Sequence, residues 1–403
     1  MNSALFKSFI LGGFECSTHR RRDGRRLDLI HSTRHDVFAR TDYEQLQRHG
    51  IAAARDGFRW HLIEATSGRF DFSSAISMLE AASVSRMQVV WDLWHYGWPD
   101  HLDIFSAAFV DHFAAFAREA AKHLSDYDDR PFVSPINEIS FFSWAGAEAG
   151  FFNPFAQHRG DEMKRQLVRA TVAAIAAMRE VNPAIRFCQI DPIINVVPRS
   201  LDQDDVRHAE DYRCSQFEAW DMILGRVHPE LGGADHCIDV IGVNYYIHNQ
   251  FVWEQGLIVP SDPRYRHVST MLEETYRRYR RPIFVAETGI EDDTRPAWLR
   301  YIFREVLMAM TAGVPVEGIC LYPIVNHPGW DDDRHCHNGL FDYADDSGRR
   351  NVYLPLAEEV SRQIANVTAL LSGEKVLTDL SDMETTALDW AAHAMAERTE
   401  LGR

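Results

Sequence analysis

The sequence predicts an α/β protein of the (β/α)8, or TIM-barrel, class, and three observations carry that prediction. Eight short apolar runs recur, at residues 9–16, 51–55, 87–93, 131–138, 184–190, 238–246, 282–287 and 317–322. They are too short for helices, rich in Val, Ile and Phe, and apolar throughout rather than in alternation, as parallel strands covered on both faces require. An amphipathic or helix-rich segment follows each run. Eight strand–helix units in one unbroken alternation make a closed barrel, because a doubly wound sheet generally has fewer strands.

The helices read clearly where an apolar stripe recurs every three to four residues. In residues 106–124 the stripe is Phe109, Phe113, Ala117, Ala120 and Leu124, with Ser106 placed to cap the start. Similar stripes run through residues 162–179, 264–279, 296–312 and 352–371. The connections 192–235 and 247–263 are long and follow strands, so they should decorate the face of the barrel that carries function. No Gly/Ser- or Pro-rich linker marks a boundary. Residues 1–371 therefore read as one barrel domain, and 372–403 as a polar tail that either docks as a helix or frays.

Composition narrows the function classes. Hydrophobic residues make up 46% of the chain and charged ones 25%, ordinary for a globular protein. A net charge of −17 argues against nucleic acid or an anionic membrane as partner, since positive charge supplies most of that attraction. No apolar run approaches the roughly 18–20 residues that span a bilayer, and the first residues lack the apolar length of a secretory signal. The six cysteines, Cys16, Cys188, Cys214, Cys237, Cys320 and Cys336, form no C-x-x-C pair and read as buried small residues in a reducing compartment. A cytoplasmic enzyme is the expectation.

The chemistry concentrates at the ends of the apolar runs, where a barrel of this class carries its functional groups. Those ends present Glu15, Arg55, His95, Asn137 with Glu138, Asp191, Asn244 with Tyr246, Glu287, and Tyr322 leading to Trp330. Two of the runs, Pro131-Phe-Val-Ser-Pro-Ile-Asn-Glu138 and Pro282-Ile-Phe-Val-Ala-Glu287, each end in a carboxylate. An ionisable group at the end of a buried strand is costly to desolvate, so it has a partner or a task. Two carboxylates facing each other across a pocket are the minimum equipment for splitting a glycosidic bond. Asn244 and Tyr246 share one face by strand periodicity.

With these residues in view the sequence resembles a known group, the (β/α)8 retaining glycoside hydrolases with catalytic carboxylates on strands four and seven. Within that clan it looks like family 1 or a sister family. Arg55-Asp-Gly-Phe-Arg-Trp60 resembles the family's second-strand arginine motif. Leu93-Trp-His-Tyr-Gly-Trp-Pro99 is similar to its third-strand segment with a sugar-binding histidine. Asn137-Glu138, Ile241-Gly-Val-Asn-Tyr-Tyr246 and Glu287-Thr-Gly289 resemble its acid/base, strand-six and nucleophile motifs.

The resemblance implies a retaining β-glycosidase acting on small β-linked glycosides by double displacement, with no cofactor and no metal. Glu138 is then the acid/base and Glu287 the nucleophile, with carboxyls about 5–5.5 Å apart. Arg55 and Tyr246 keep Glu287 ionised, burial and the like charge raise the pKa of Glu138, and Asn137 meets the 2-hydroxyl. His95 and Asn244 join it in binding the substrate. Trp330, Trp94, Trp98 and Trp144 offer flat faces for stacking on a sugar. The chain departs from the family where it has His19 or Arg20 in place of a glutamine after strand one. It departs again at Tyr322-Pro323 and Gly329-Trp330, where the family has a Trp-Ser pair and a glutamate before tryptophan. The cleavage machinery thus carries over and the contacts that identify the sugar do not.

Other readings share the same residues. A transglycosidase uses the same intermediate and excludes water, and a barrel that only binds sugar needs no chemistry. A metal-dependent hydrolase would use the run Asp331-Asp-Asp-Arg-His-Cys-His337, whose Asp, His and Cys are all ligand types. The basic knot Arg20, Arg21, Arg22, Arg25 and Arg26 is either a solvated loop paired with acids or an attractor for an anionic sugar.

Overall fold

The protein is described by a computed structural model covering residues 5–372. Eight parallel strands close into a barrel in chain order: β1 (Ile10–Gly13), β2 (Ala53–Gly57), β3 (Gln88–Asp92), β4 (Phe132–Ser134), β5 (Arg186–Pro192), β6 (Val240–Asn244), β7 (Ile283–Thr288) and β8 (Val316–Leu321). Each is followed by a helix of the outer layer: α1 (His35–Arg48), α2 (Ser73–Ser85), α3 (Ala107–Tyr127), α4 (Gly160–Val181), α5 (Glu218–Ile223), α6 (Val268–Tyr279), α7 (Arg295–Thr311) and α8 (Leu354–Leu371). This is the (β/α)8 barrel that the alternation of runs predicts. The tail beyond Ser372 lies outside the described residues. Among the described residues no helix is long and apolar enough to cross a membrane. Five of the six cysteines are buried, and Cys214 is exposed.

Helix α3 illustrates how the sequence dictates an element. The Ser106 hydroxyl accepts a hydrogen bond from the Phe109 amide at 3.3 Å, satisfying one of the free donors of the first turn. The buried stripe is the expected one, extended by Phe116 and Ala121. Side chains then alternate along each strand. Leu11, Ala53, Val90, Phe132, Ile190 and Phe284 fill the inside of the barrel, while neighbours such as Trp91, Val133 and Val285 face the helices. Phe6 closes the lower end, its ring 5.4 Å from Phe132 and 5.1 Å from Phe284.

One irregularity aims a functional residue. Just past Val285, strand β7 carries one residue more than the facing stretch of each neighbour. On β6, Val243 and Asn244 pair with Val285 and Glu287, and on β8, Ile319 and Leu321 pair with Val285 and Thr288. Strict alternation after Phe284 and Ala286 would send Glu287 outward with Val285. The bulge at Ala286 re-aims it to the inside, opposite Asn244.

A buried charge network fastens the hairpin after β8 to α1 and β2. Asp56 faces out of the barrel and accepts from Tyr43 at 2.6 Å, with His35 Nε2 at 2.8 Å. His35 Nδ1 lies 2.8 Å from Asp42, which Arg350 grips at 2.6 and 2.8 Å. Burial opposes charge on His35, but Asp56 and Asp42 prevail and hold its pKa up at about 9. Arg350 lies in the last hairpin, Phe341–Ala344 with Arg350–Val352. Arg350→Met leaves the buried carboxylates of Asp42 and Asp56 with His35 as their one shared cation, and urea unfolding should record a loss of about 3–5 kcal/mol. An unchanged midpoint would show that the network carries no such weight.

Candidate active site

The inward-facing residues at the C-terminal ends of the strands meet around Arg55. Its side chain is fully buried, and its five donors are shared among three strands. Nε and Nη2 reach Asp92 at 3.1 and 2.6 Å, Nη1 reaches Glu287 Oε1 at 2.6 Å, and Nη2 reaches Asn137 Oδ1 at 2.7 Å. The guanidinium also lies 5.1 Å from the centre of the Tyr322 ring. Tyr322 fits there because residue 13 is glycine, since a Cβ on Gly13 would stand 2.1 Å from that ring. A buried cation without such partners would cost several kcal/mol, so the partners are a condition of its presence.

Glu287 and Glu138 occupy opposite environments. The Glu287 carboxylate accepts from Arg55 on Oε1 and from the Tyr246 hydroxyl on Oε2 at 2.9 Å. Burial and Glu287's charge push the Tyr246 phenol well above its ordinary range, so it stays a donor. Asn244 and Tyr246 do share the inner face, while Tyr245 between them packs outward on Trp298, ring centres 6.0 Å apart.

Glu138 lies just past the end of β4, in a left-handed turn (φ 50°) that opens the short helix Ile139–Phe142. That conformation costs a non-glycine residue on the order of 1 kcal/mol or more. Strand β5 holds the turn on both sides: the Glu138 amide donates to Ile190 O at 3.0 Å and the Ser140 amide to Asp191 Oδ1 at 3.0 Å. The Glu138 carboxyl accepts from Asn244 Nδ2 at 2.8 Å and from the Tyr96 hydroxyl. Burial first, then the charge of Glu287, raise its pKa to about 7 against those two donors. Burial and Glu138's charge likewise push Asp191 well above the carboxylate range.

Asn137 links the two halves. With Oδ1 held by Arg55, its Nδ2 donates to the Tyr96 hydroxyl at 3.2 Å and faces His95 Nε2 at 3.2 Å. Burial opposes charge on His95, but Cys16, Asp92 and Glu15 around the ring raise its pKa well above the ordinary imidazole value, and its Nδ1 lies 3.2 Å from Asp92. The result is a chain of donors from Arg55 through Asn137 and Tyr96 to Glu138.

Two participants were not singled out from the sequence, although both left a signal. Asp92 is the lone acid in the apolar run of β3, and a buried charge implies a partner. Tyr96 (φ 71°) lies inside the third-strand motif, next to a glycine that lets the loop after β3 close on the loop after β1. A Cβ on Gly97 would stand 1.9 Å from Thr18 Oγ1.

Of the two residues standing near the family's glutamine, Arg20 turns outward to Asp100 and His19 turns in. The His19 ring packs on Phe152 and Trp330, centres 4.6 and 5.1 Å away, and both ring nitrogens are buried without a partner. Burial brings its pKa down to about 3, so the ring is neutral. Trp330 stands over the same space, 5.7 Å from Tyr96. Trp94 is fully buried against Tyr96 and Phe142, Trp98 donates to Leu102 O at 3.0 Å, and Trp144 is 41% exposed beside Phe141 and Phe151.

Ion pairs tie the loops around the entrance to one another. Arg20 and Arg26 share Asp100, Arg21 and Arg25 share Asp333, and Arg22 reaches Gly150 O. Four of the knot's five arginines are thus paired with acids. In the run 331–337, Asp333 serves those arginines, Arg334 pairs with Glu291, and His335 stacks between His337 and Tyr343. Among the described residues its ligand-type side chains do not converge as a group of three. Cys16, Asp92 and His95 do converge beneath the pocket. There Asp92 is already held by a guanidinium, and burial pushes the Cys16 thiol up to about 11, so the trio suits a hydrogen-bond network better than a cation.

No sequence-family profile and no curated protein matches the chain. Solved structures do. The β-glucosidase from Thermotoga maritima in complex with glucoimidazole aligns with a TM-score of 0.72, covering 91% of this chain and 98% of its own at 16% identity. The same organism's enzyme in complex with deoxynojirimycin gives 0.71, covering 89% and 99% at 16% identity. A hyperthermophilic β-glucosidase mutant that forms a dodecamer in its crystal gives 0.71, covering 88% and 99% at 15% identity. The chain has the fold of the family 1 β-glucosidases. At such identities the likeness carries the architecture and leaves the activity to the residues of the pocket.

The two carboxyls interact through space, which a titration can detect without any substrate. The carbon-13 resonance of the Glu138 carboxyl should titrate with a midpoint near 7. In Glu287→Gln the midpoint should fall, because the second cause of the rise is gone. A midpoint unmoved by that change would mean that the two groups do not sense each other.

Proposed function

We propose that this protein is a retaining β-glycosidase that hydrolyses small β-linked glycosides through a covalent glycosyl-enzyme intermediate. The observation that carries the reading is the opposed state of two carboxyls in one pocket: Glu287 bound by a guanidinium and a phenol, Glu138 raised to about 7. Double displacement asks for that difference. In the first half, Glu287 attacks the anomeric carbon as the bond to the leaving oxygen breaks, and Glu138 gives that oxygen its proton. In the second, Glu138 takes a proton from water as the water oxygen attacks the same carbon and releases Glu287.

The remaining polar groups bind the glycone. Asn137 and His95 meet hydroxyls near the reacting carbon, and Asn244 holds Glu138 while its buried, unpartnered Oδ1 is open to a further contact. His19 takes the role of the family's glutamine, its free nitrogens meeting the far hydroxyls under the Trp330 ring. Trp144 is the candidate for stacking at the mouth. Transfer to a sugar acceptor instead of water would use the same groups and differ only in what enters the second half.

Azide rescue tests the assignment. With an activated aryl β-glycoside, Glu287→Gly plus azide should yield the inverted glycosyl azide, and Glu138→Ala the retained one. Undiminished hydrolysis in both variants would overturn the proposal. A second prediction concerns pH. Because Glu138 must carry a proton, kcat/KM should fall as pH rises through about 7. The Tyr96 hydroxyl stabilises the charged form, so Tyr96→Phe should move that basic limb to higher pH. A limb that stays put or moves down contradicts the role given to Tyr96.

A further inference from the structure

A second group of ligand-type side chains lies outside the pocket. Glu64 follows the short helix Trp60–Ile63 after β2, His101 belongs to the loop after β3, and His112 stands in the first turns of α3. One ligand atom from each lies within 4.8 Å of the others. His101 Nε2 is 3.8 Å from Glu64 Oε1, and His112 Nδ1 touches the same oxygen. The two rings are 5.8 Å apart and inclined at 67°, so they converge on the carboxylate instead of stacking on each other.

Glu64 is hard to account for as ordinary packing. Its side chain is fully buried, while the two histidines are 31% and 24% exposed. The indole of Trp60 donates to Oε2 at 2.9 Å and the Gly68 amide to Oε1 at 2.9 Å, which fixes the carboxylate's orientation. Among the described residues its ion-pair partners are the two imidazoles alone, with no arginine or lysine. An enclosed carboxylate held rigid by a tryptophan and an amide, with two imidazoles toward solvent, has the build of a metal ligand with its supporting shell.

We propose that Glu64, His101 and His112 bind a first-row divalent cation of the zinc class. Two imidazole nitrogens and one carboxylate oxygen, without a thiolate, suit zinc and its neighbours better than calcium or magnesium, which prefer all-oxygen sites. With zinc–ligand distances of about 2.0–2.2 Å, ligand atoms around a tetrahedral ion lie roughly 3.3–3.6 Å apart. His101 already stands close to that separation, and His112 has only to exchange its contact with the carboxylate for the ion. The exposed edges of both rings give the ion a path in and leave the fourth position to water. This cation takes no part in bond cleavage. It ties the segment after β2 to α3 and to the loop after β3, the loop that also carries Tyr96 and Asp100.

Calorimetric titration of the chelator-treated full chain with zinc should find one ion per chain, together with a Tm that rises with zinc concentration. Cobalt should bind competitively and develop visible absorption from the imidazole and carboxylate field. His101→Ala, the most exposed change, should keep the zinc-free Tm of the parent and weaken zinc binding at least about tenfold, with His112→Ala doing the same. Absence of zinc uptake by the parent, or parental zinc affinity in both variants, would reduce the cluster to an imidazole–carboxylate ion pair and overturn the proposal.

Discussion

The buried guanidinium of Arg55 is the constraint on which the pocket depends. A cation with no access to water is stable only when its surroundings supply both charge and hydrogen-bond acceptors. Here Asp92, Glu287 and Asn137 supply them, and each comes from a different strand or strand end. Because a guanidinium is planar with fixed donor directions, it also sets where those three groups stand relative to one another. Position and charge state thus have one origin.

The asymmetry between the two acids follows from that placement. Arg55 and Tyr246 reach Glu287, and neither donates to Glu138, which has only the neutral donors Tyr96 and Asn244. Burial and the charge of Glu287 together raise the pKa of Glu138, the less supported of the two. The chain from Arg55 through Asn137 and Tyr96 couples them by hydrogen bonds as well as through space. Backbone strain at Glu138 and Tyr96, both left-handed, is the local cost of bringing that chain to its end.

The differences from the family pattern collect on one side of the pocket. Where the chain departs from the motifs it resembles, the structure packs His19, Phe152 and Trp330 together. The basic knot that looked anomalous in an acidic chain is spent on Asp100 and Asp333, binding the loops after β1, β3 and β8 to one another at the entrance.

The sequence by itself determined the barrel. Continuous apolar runs alternating with striped helices admit few other architectures, and period-two alternation put Asn244 and Tyr246 on one face. It also brought forward Glu138 and Glu287, because an acid ending a buried strand stands out against its neighbours. Tertiary structure alone decided how these residues meet. The bulge at Ala286 reverses the direction that alternation assigns to Glu287, and a bulge is a property of pairing with both neighbouring strands, invisible in one strand's pattern. The choice between His19 and Arg20 depended on Asp100, far along the chain. Asp92 and Tyr96 took their importance from partners that only closure of the barrel brings within reach, since a hydrogen bond is decided over about 3 Å and a sequence carries no distances.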